Sequence, residues 1–221
     1  PKRDWSSDVC SSDLPRQPRR RPQCGQADVA DARALAGGEI DLMSEYRIRR
    51  FRDGDQNAME GFATGLPDHD LLFLGRDLKH PRVIAAWLEA IGEGWIDSLV
   101  ADEGGTIVGT AALVRDPLGW SAHVGEVRLL VAPERRGVGL GRDLLQALMA
   151  VAAERGLAKL TAAMTPDQTA SIELFETLGF RGEALLRDQV RDREGRSHDL
   201  VVLAYDAARV AAHHRAYGFG E

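Results

Sequence analysis

Arg135-Arg136-Gly137-Val138-Gly139-Leu140-Gly141-Arg142 is the stretch on which the reading of this chain turns. A β-branched and leucine-rich run, Val124 to Val131, precedes it, and an amphipathic helical stretch, Leu144 to Glu154, follows. The segment therefore reads as a strand, a glycine turn and a helix start. Alternating glycines let a backbone approach a ligand without Cβ collisions, and the N–H groups at a helix start have no internal partners. Phosphate oxygens satisfy such groups. A Walker loop would need Gly-Lys-Ser/Thr here, but Gly141 is followed by Arg142-Asp143. A dinucleotide fingerprint would need G-x-G-x-x-G, but the spacing is G-x-G-x-G.

The 221 residues, 44% of them hydrophobic, suffice for one good-sized domain with an appendage. No apolar run approaches the length that spans a bilayer, and no charged-then-apolar signal segment opens the sequence, so a cytoplasmic protein without a membrane partner is expected. Cys10 and Cys24 both fall in the N-terminal stretch, which leaves the domain without a disulfide or a thiolate metal site. A net charge of −6 argues against nucleic acid as a partner and favours cationic small ligands.

Asp4 to Leu14 reads as a translated sequencing adapter, which sets residues 1–14 aside. Residues 15–42 are rich in Arg, Pro, Gln, Gly and Ala without an apolar period, and are expected to be disordered or upstream of the natural start at Met43. The alternative for Arg16 to Arg21 is a basic arm. The domain then covers 43–206, and 207–221 form a weakly helical tail whose His213-His214 pair is expected to be exposed rather than metal-bound.

Within the domain, Tyr46 to Phe51 reads as a first strand, and Asp53-Gly54-Asp55 turns into a helix carrying Met59 and Phe62. Leu71 to Leu74 is an apolar run expected in the core. Pro81 opens a helix with Val83, Ile84, Trp87, Leu88 and Ile91 on one face, ending at Gly92 and covering one side of a sheet. Trp95 to Ala101 and Thr106 to Val114 form a hairpin around Asp102-Glu103-Gly104-Gly105. After a loop containing Trp120 comes the strand that delivers the glycine turn. The following helix, with Leu144, Leu145, Leu148, Met149 and Ala152 on one face, crosses to a parallel strand at Lys159 to Met164. A helix from Thr169 to Leu178 and a hairpin of Glu183 to Val190 with His198 to Tyr205 complete the chain.

The pattern R-x-x-G-x-G, Arg136 through Gly141, preceded by Val131-Ala132-Pro133, resembles the pyrophosphate-binding motif of the GNAT superfamily, the Gcn5-related N-acetyltransferases. Gln168 to Phe180, with Ser171, Leu174-Phe175 and Gly179-Phe180, partly resembles the second motif of that family. The resemblance implies an α+β fold: a mixed, mostly antiparallel sheet of about seven strands with a splayed parallel pair, flanked by about four helices. It implies acetyl-CoA as co-substrate and acyl transfer to a primary amine, of a small molecule or a peptide, by direct attack. A non-catalytic acyl-CoA-binding regulatory module is the alternative.

By the same resemblance, backbone groups of Leu129 and Val131 pair with the pantetheine arm, and a bulge aims the N–H of Leu130 or Val131 at the thioester carbonyl as an oxyanion hole. The residues Arg136, Gly137, Val138, Gly139, Leu140, Gly141 and Arg142 hold the pyrophosphate, and Gln168 and Phe175 complete the cofactor set, Phe175 packing near the thioester or in the core. Arg135 is either a further phosphate contact or a surface residue. An alkylamine, with a pKa near ~10.4, must lose a proton before it attacks. Glu126 is the candidate base and His123 the second; the competing reading of Glu126 is an ion pair with Arg128. Phe175 stands where the family often has a tyrosine acid, so the thiolate leaves unassisted or is protonated by water or a tyrosine such as Tyr205. The terminal hairpin is a candidate surface for a homodimer.

Overall fold

The computed structural model describes residues 46–207. The adapter-like stretch, the upstream segment, Met43, both cysteines and the His213-His214 tail all lie outside the described residues.

Seven strands form one sheet in the order β1-β2-β3-β4-β5-β7-β6. The elements are β1 (Arg47–Arg50), α1 (Gln56–Gly65), α2 (Pro81–Gly92), β2 (Ile96–Glu103), β3 (Thr106–Arg115), β4 (Val124–Val131), α3 (Leu140–Glu154), β5 (Lys159–Met164), α4 (Thr169–Thr177), β6 (Arg181–Arg191) and β7 (Ser197–Asp206). Every neighbouring pair is antiparallel except β4 and β5. The terminal hairpin folds back so that β7, not β6, lies against β5. Gly104 and Gly105 have φ of 59° and 93°, the paired left-handed torsions that match the twist of a two-residue hairpin.

The central strands of the sheet are buried on both faces, whereas β6 is exposed along almost its whole length. Leu144, Leu145 and Leu148 of α3 pack with Leu99, Leu113 and Val127 on one side; Met59 and Phe62 of α1 pack with Val100, Ile107 and Leu130 on the other. Gly109 brings α3 this close, since a Cβ there would lie 2.8 Å from Leu144 Cδ1 and 3.3 Å from the Leu130 carbonyl oxygen. Truncating a leucine buried like Leu148 to alanine costs about 2–5 kcal/mol.

Three expectations need adjustment. Helix α3 begins at Leu140 rather than Leu144, directly after Gly139, so the glycine turn is itself the cap of the helix. Met149 is only partly buried. On α2, Ile84 is the one fully buried residue of the expected apolar face; Val83 and Trp87 are partly buried against the core and also line a cavity.

Candidate active site

β4 and β5 pair only where Val124–Glu126 meet Lys159–Thr161. Both strands continue beyond that point, to Val131 and Met164, so the sheet opens into a gap whose vertex lies at Glu126. On the other edge of β4 the register with β3 runs without a shift from Gly125 to Val131; the expected bulge is absent. The Ala132 N–H donates to the Val108 carbonyl at 3.0 Å. In an antiparallel ladder this fixes the alternation: even-numbered residues of β4 bond to β3, and Leu129 and Val131 turn their main-chain groups into the gap. Leu130 is thereby corrected as a ligand contact. Its polar groups are committed to β3, and its side chain is buried against the α1 side of the sheet.

At the open end stands the glycine turn. Gly137 and Gly139 have φ of 79° and 95°, torsions that would strain any side chain. The N–H groups of Gly137, Val138, Gly139, Leu140 and Gly141 have no acceptor among the described residues. Together with the partial positive charge of the α3 N-terminus they form an anion cradle. A Cβ on Gly141 would sit 3.3 Å from Leu174 Cδ2, so this glycine also lets the helix start approach α4.

The arginines divide. Arg142 is exposed, and its guanidinium has no partner among the described residues. Arg136 instead folds inward, donating to the Val131 carbonyl at 3.2 and 3.1 Å and to Asp70 at 2.6 Å. Arg135 is paired with Glu103. Asp143, the carboxylate in the first turn of α3, accepts the Tyr46 hydroxyl at 2.7 Å.

Glu126 is held by Arg128, Nε to Oε1 at 2.8 Å and Nη2 to Oε2 at 3.3 Å. The ion pair expected as its alternative role is therefore formed, at the vertex and with the carboxylate still 39% exposed. His123 is exposed at the closed end of the pair, some ~10 Å of strand from the vertex, and is not brought to the gap. Gln168 uses its side-chain oxygen to accept the Thr165 N–H at 3.2 Å. Phe175 is 3% exposed and meets Phe180 edge-on at 4.9 Å, so it is a core residue rather than a cofactor contact. Tyr205 packs on Phe180 at 5.5 Å, and burial raises its hydroxyl above the ordinary tyrosine value.

A strap that no motif announces runs beside this gap. The 3-10 turn Asp68–Leu74 is joined to the glycine turn by Asp70 and Arg136. His69 binds Asp167, after β5, at 2.8 Å and Thr165 at 3.3 Å. Asp68 binds Arg193, in the β6–β7 turn, at 3.0 Å. The Thr165 hydroxyl, with His69, holds Asp167 below the usual carboxylate range. His198 packs against His69 with ring centroids 5.5 Å apart and binds Asp192 at 3.0 Å.

The sequence model of the acetyltransferase (GNAT) family matches residues 68–180. The L-amino acid N-acyltransferase MnaT of Escherichia coli (strain K12) is 32% identical over 123 residues, covering 53% of this chain and 69% of that protein. Mycothiol acetyltransferase of Thermobispora bispora is 36% identical over 94 residues, but the match covers 40% of this chain and only 32% of that protein. Among solved structures, yncA from Salmonella typhimurium, a putative acetyltransferase with its cofactor acetyl-CoA, superposes with a TM-score of 0.63 at 26% identity, covering 74% of this chain and 94% of that one.

Proposed function

The chain belongs to the acetyltransferase (GNAT) family, and from that premise we propose how its residues divide the work. It is an acyl-CoA-dependent N-acetyltransferase, and acetyl-CoA supplies the acetyl group as an activated thioester. One observation carries the assignment of the site: the sheet opens at Glu126 along an edge that ends at a run of unpartnered amides. The main-chain groups of Leu129 and the N–H of Val131, whose carbonyl is taken by Arg136, serve an extended arm as a strand would, and the amides from Gly137 to Gly141, with Arg142, serve a pyrophosphate.

The Leu129 N–H is the first free donor beyond the vertex. It is the group assigned to stabilise negative charge as an amine attacks the thioester carbonyl. Glu126 takes the proton of the incoming ammonium, and Arg128 orients its carboxylate. No protein acid is assigned to the leaving thiolate, whose conjugate acid has a pKa near ~8.5.

The domain is assigned to 43–206. The acceptor is an amine, of a small molecule in preference to a peptide; one relative is named an L-amino acid N-acyltransferase. Nucleic acid is set aside on the net charge of −6. Among the described residues no helix is long and apolar enough to cross a membrane, and the cytoplasm is the assigned compartment because acetyl-CoA is available there. The exposed edge strand β6, with Leu185 and Leu186 outward, supports a homodimer through the terminal hairpin.

The test is amine-dependent release of free CoA by the full chain. Glu126→Gln should lower kcat by about 10²–10⁴-fold and leave acetyl-CoA affinity unchanged. Retention of full activity would return Glu126 to a purely structural ion pair.

A further inference from the structure

Beneath α2 lies a cavity of about 230 Å³. Apart from its arginines, aliphatic side chains and the rings of Trp87 and Trp95 line it. The charged residues that line it are Arg76, Arg115 and Arg128, and no carboxylate does. The positive charge is unevenly balanced. Arg128 is neutralised by Glu126, whereas Arg115 shares the single carboxylate of Asp97 with Arg50 and Arg155. Arg76 is exposed and has no partner among the described residues. Two buried donors of the same lining, Trp87 Nε1 and Arg115 Nε, also lack an acceptor, a deficit that folding alone normally avoids.

The cavity also adjoins the reaction vertex, because the Arg128 side chain that lines it is the one that holds Glu126. A benzene ring is accommodated by an engineered apolar cavity of about 150 Å³, so this one takes a single aromatic or branched side chain with a small polar group, and excludes an oligopeptide.

Resting on the acetyltransferase reading above, we propose that this cavity is the acceptor subsite, and that it selects an amine that carries both a carboxylate and one apolar group: a free apolar or aromatic α-amino acid. The guanidinium fork matches a carboxylate bidentately, the tryptophans bury the side chain, and Glu126 receives the amine. The local charge thus reverses what the acidic chain suggests. Although net charge favours cationic acceptors, a polyamine would meet arginines here.

The experiment compares acetyl transfer by the full chain to L-phenylalanine and L-leucine with transfer to 2-phenylethylamine, isoamylamine, spermidine and phenylalanine amide. Calorimetric titration of L-phenylalanine into protein saturated with CoA gives an independent readout. The acids should exceed their decarboxylated counterparts by at least about tenfold in kcat/KM, the loss of one charged hydrogen bond. Arg76→Gln should raise KM for the acids by a similar factor and affect the amines less. Ala90→Leu, a helix-compatible change that fills the cavity, should abolish the calorimetric binding of phenylalanine while acetyl-CoA still binds.

Equal or better use of the decarboxylated amines, spermidine or the amide would overturn the inference. So would unchanged phenylalanine affinity in a folded Ala90→Leu variant. Binding of acetyl-CoA with no transfer to any acid-bearing amine would remove this inference alone; failure to bind acetyl-CoA would remove the functional reading as well.

Discussion

The two strand ends that bound the open side of the β4–β5 gap are built from different materials. At the end of β4, Gly137 to Gly141 present main-chain amides shaped by glycine torsions, all within one short run of sequence. At the end of β5, His69, Asp70 and Asp68 are tied by side chains to Asp167, Arg136 and Arg193, partners far away in the chain. A main-chain device is rigid, uncharged in any single side chain and insensitive to most substitutions; a side-chain clasp is adjustable, titratable and screened by salt. The first suits a constant ligand part such as a pyrophosphate, the second a region that must open for an acceptor.

The largest effect is expected where the main-chain device is blocked. Gly139→Glu introduces a side chain at φ 95° and a negative charge among the free amides. Acetyl-CoA affinity, measured by calorimetry, should fall by more than about 100-fold, as several charge-assisted hydrogen bonds are lost together. Circular dichroism should remain native. If affinity survives, the amides are not the anion site and the contrast between the two ends collapses.

That contrast also explains what could be read from sequence. The glycine turn, the strand periods and the parallel crossover are local signals, and they place the gap and its anion end. The Glu126–Arg128 ion pair was legible too, because its partners lie two residues apart on one strand; that the vertex falls at Glu126 comes only from the β4–β5 register. Leu130 was misassigned because the phase of the β4 main chain depends on which residue of β3 it faces, and only the Val108–Ala132 bond fixes that. For Phe175 the family position left a place near the thioester or in the core, and only the Phe180 ring packed against it puts it in the core. The strap left no trace, since His69 and Thr165 are separated by 96 residues and Asp70 and Arg136 by 66. Polar pairs of that span carry no period or motif.

A third region sharpens the comparison by separating side-chain construction from exposure. Asp97, 5% exposed, gathers Arg50, Arg115 and Arg155 under the sheet. Burial pushes its carboxyl up, but Arg155, with Arg115 and Arg50, outweighs this and holds it below the ordinary value. A group depressed in the folded state stabilises above its unfolded pKa, near ~3.9, and that contribution is lost as pH falls through the folded value. The contribution of Asp97 to thermal stability should therefore be fully present and independent of pH near neutrality, and decline below about pH 4. Asp97→Asn should cost on the order of 3 kcal/mol, the typical penalty for breaking a buried pair, seen as a Tm lowered by about 6–12 °C at pH 7. A negligible loss would mean that side-chain clusters here are weak whether buried or not.

The smallest effect belongs to the strap itself, and its smallness is the point. Arg136 and Asp70 are 46% and 17% exposed, so their pair is worth only about 0.2–1 kcal/mol, and both it and the more exposed Arg193–Asp68 pair weaken as salt shortens the Debye length. Global stability should barely change in Asp70→Asn. Local opening should change measurably, because the free energy that keeps the Asp68–Leu74 turn closed is small to begin with. Amide hydrogen exchange across this turn should accelerate several-fold in the variant, and the wild type should approach the variant's rate as salt is raised. Saturation with CoA should have a related effect, since a pyrophosphate in the glycine turn competes with Asp70 for the Arg136 guanidinium. Exchange that ignores salt, substitution and CoA alike would show the strap to be held by its buried Leu71 and Leu74 rather than by its charges, and would make it part of the rigid frame.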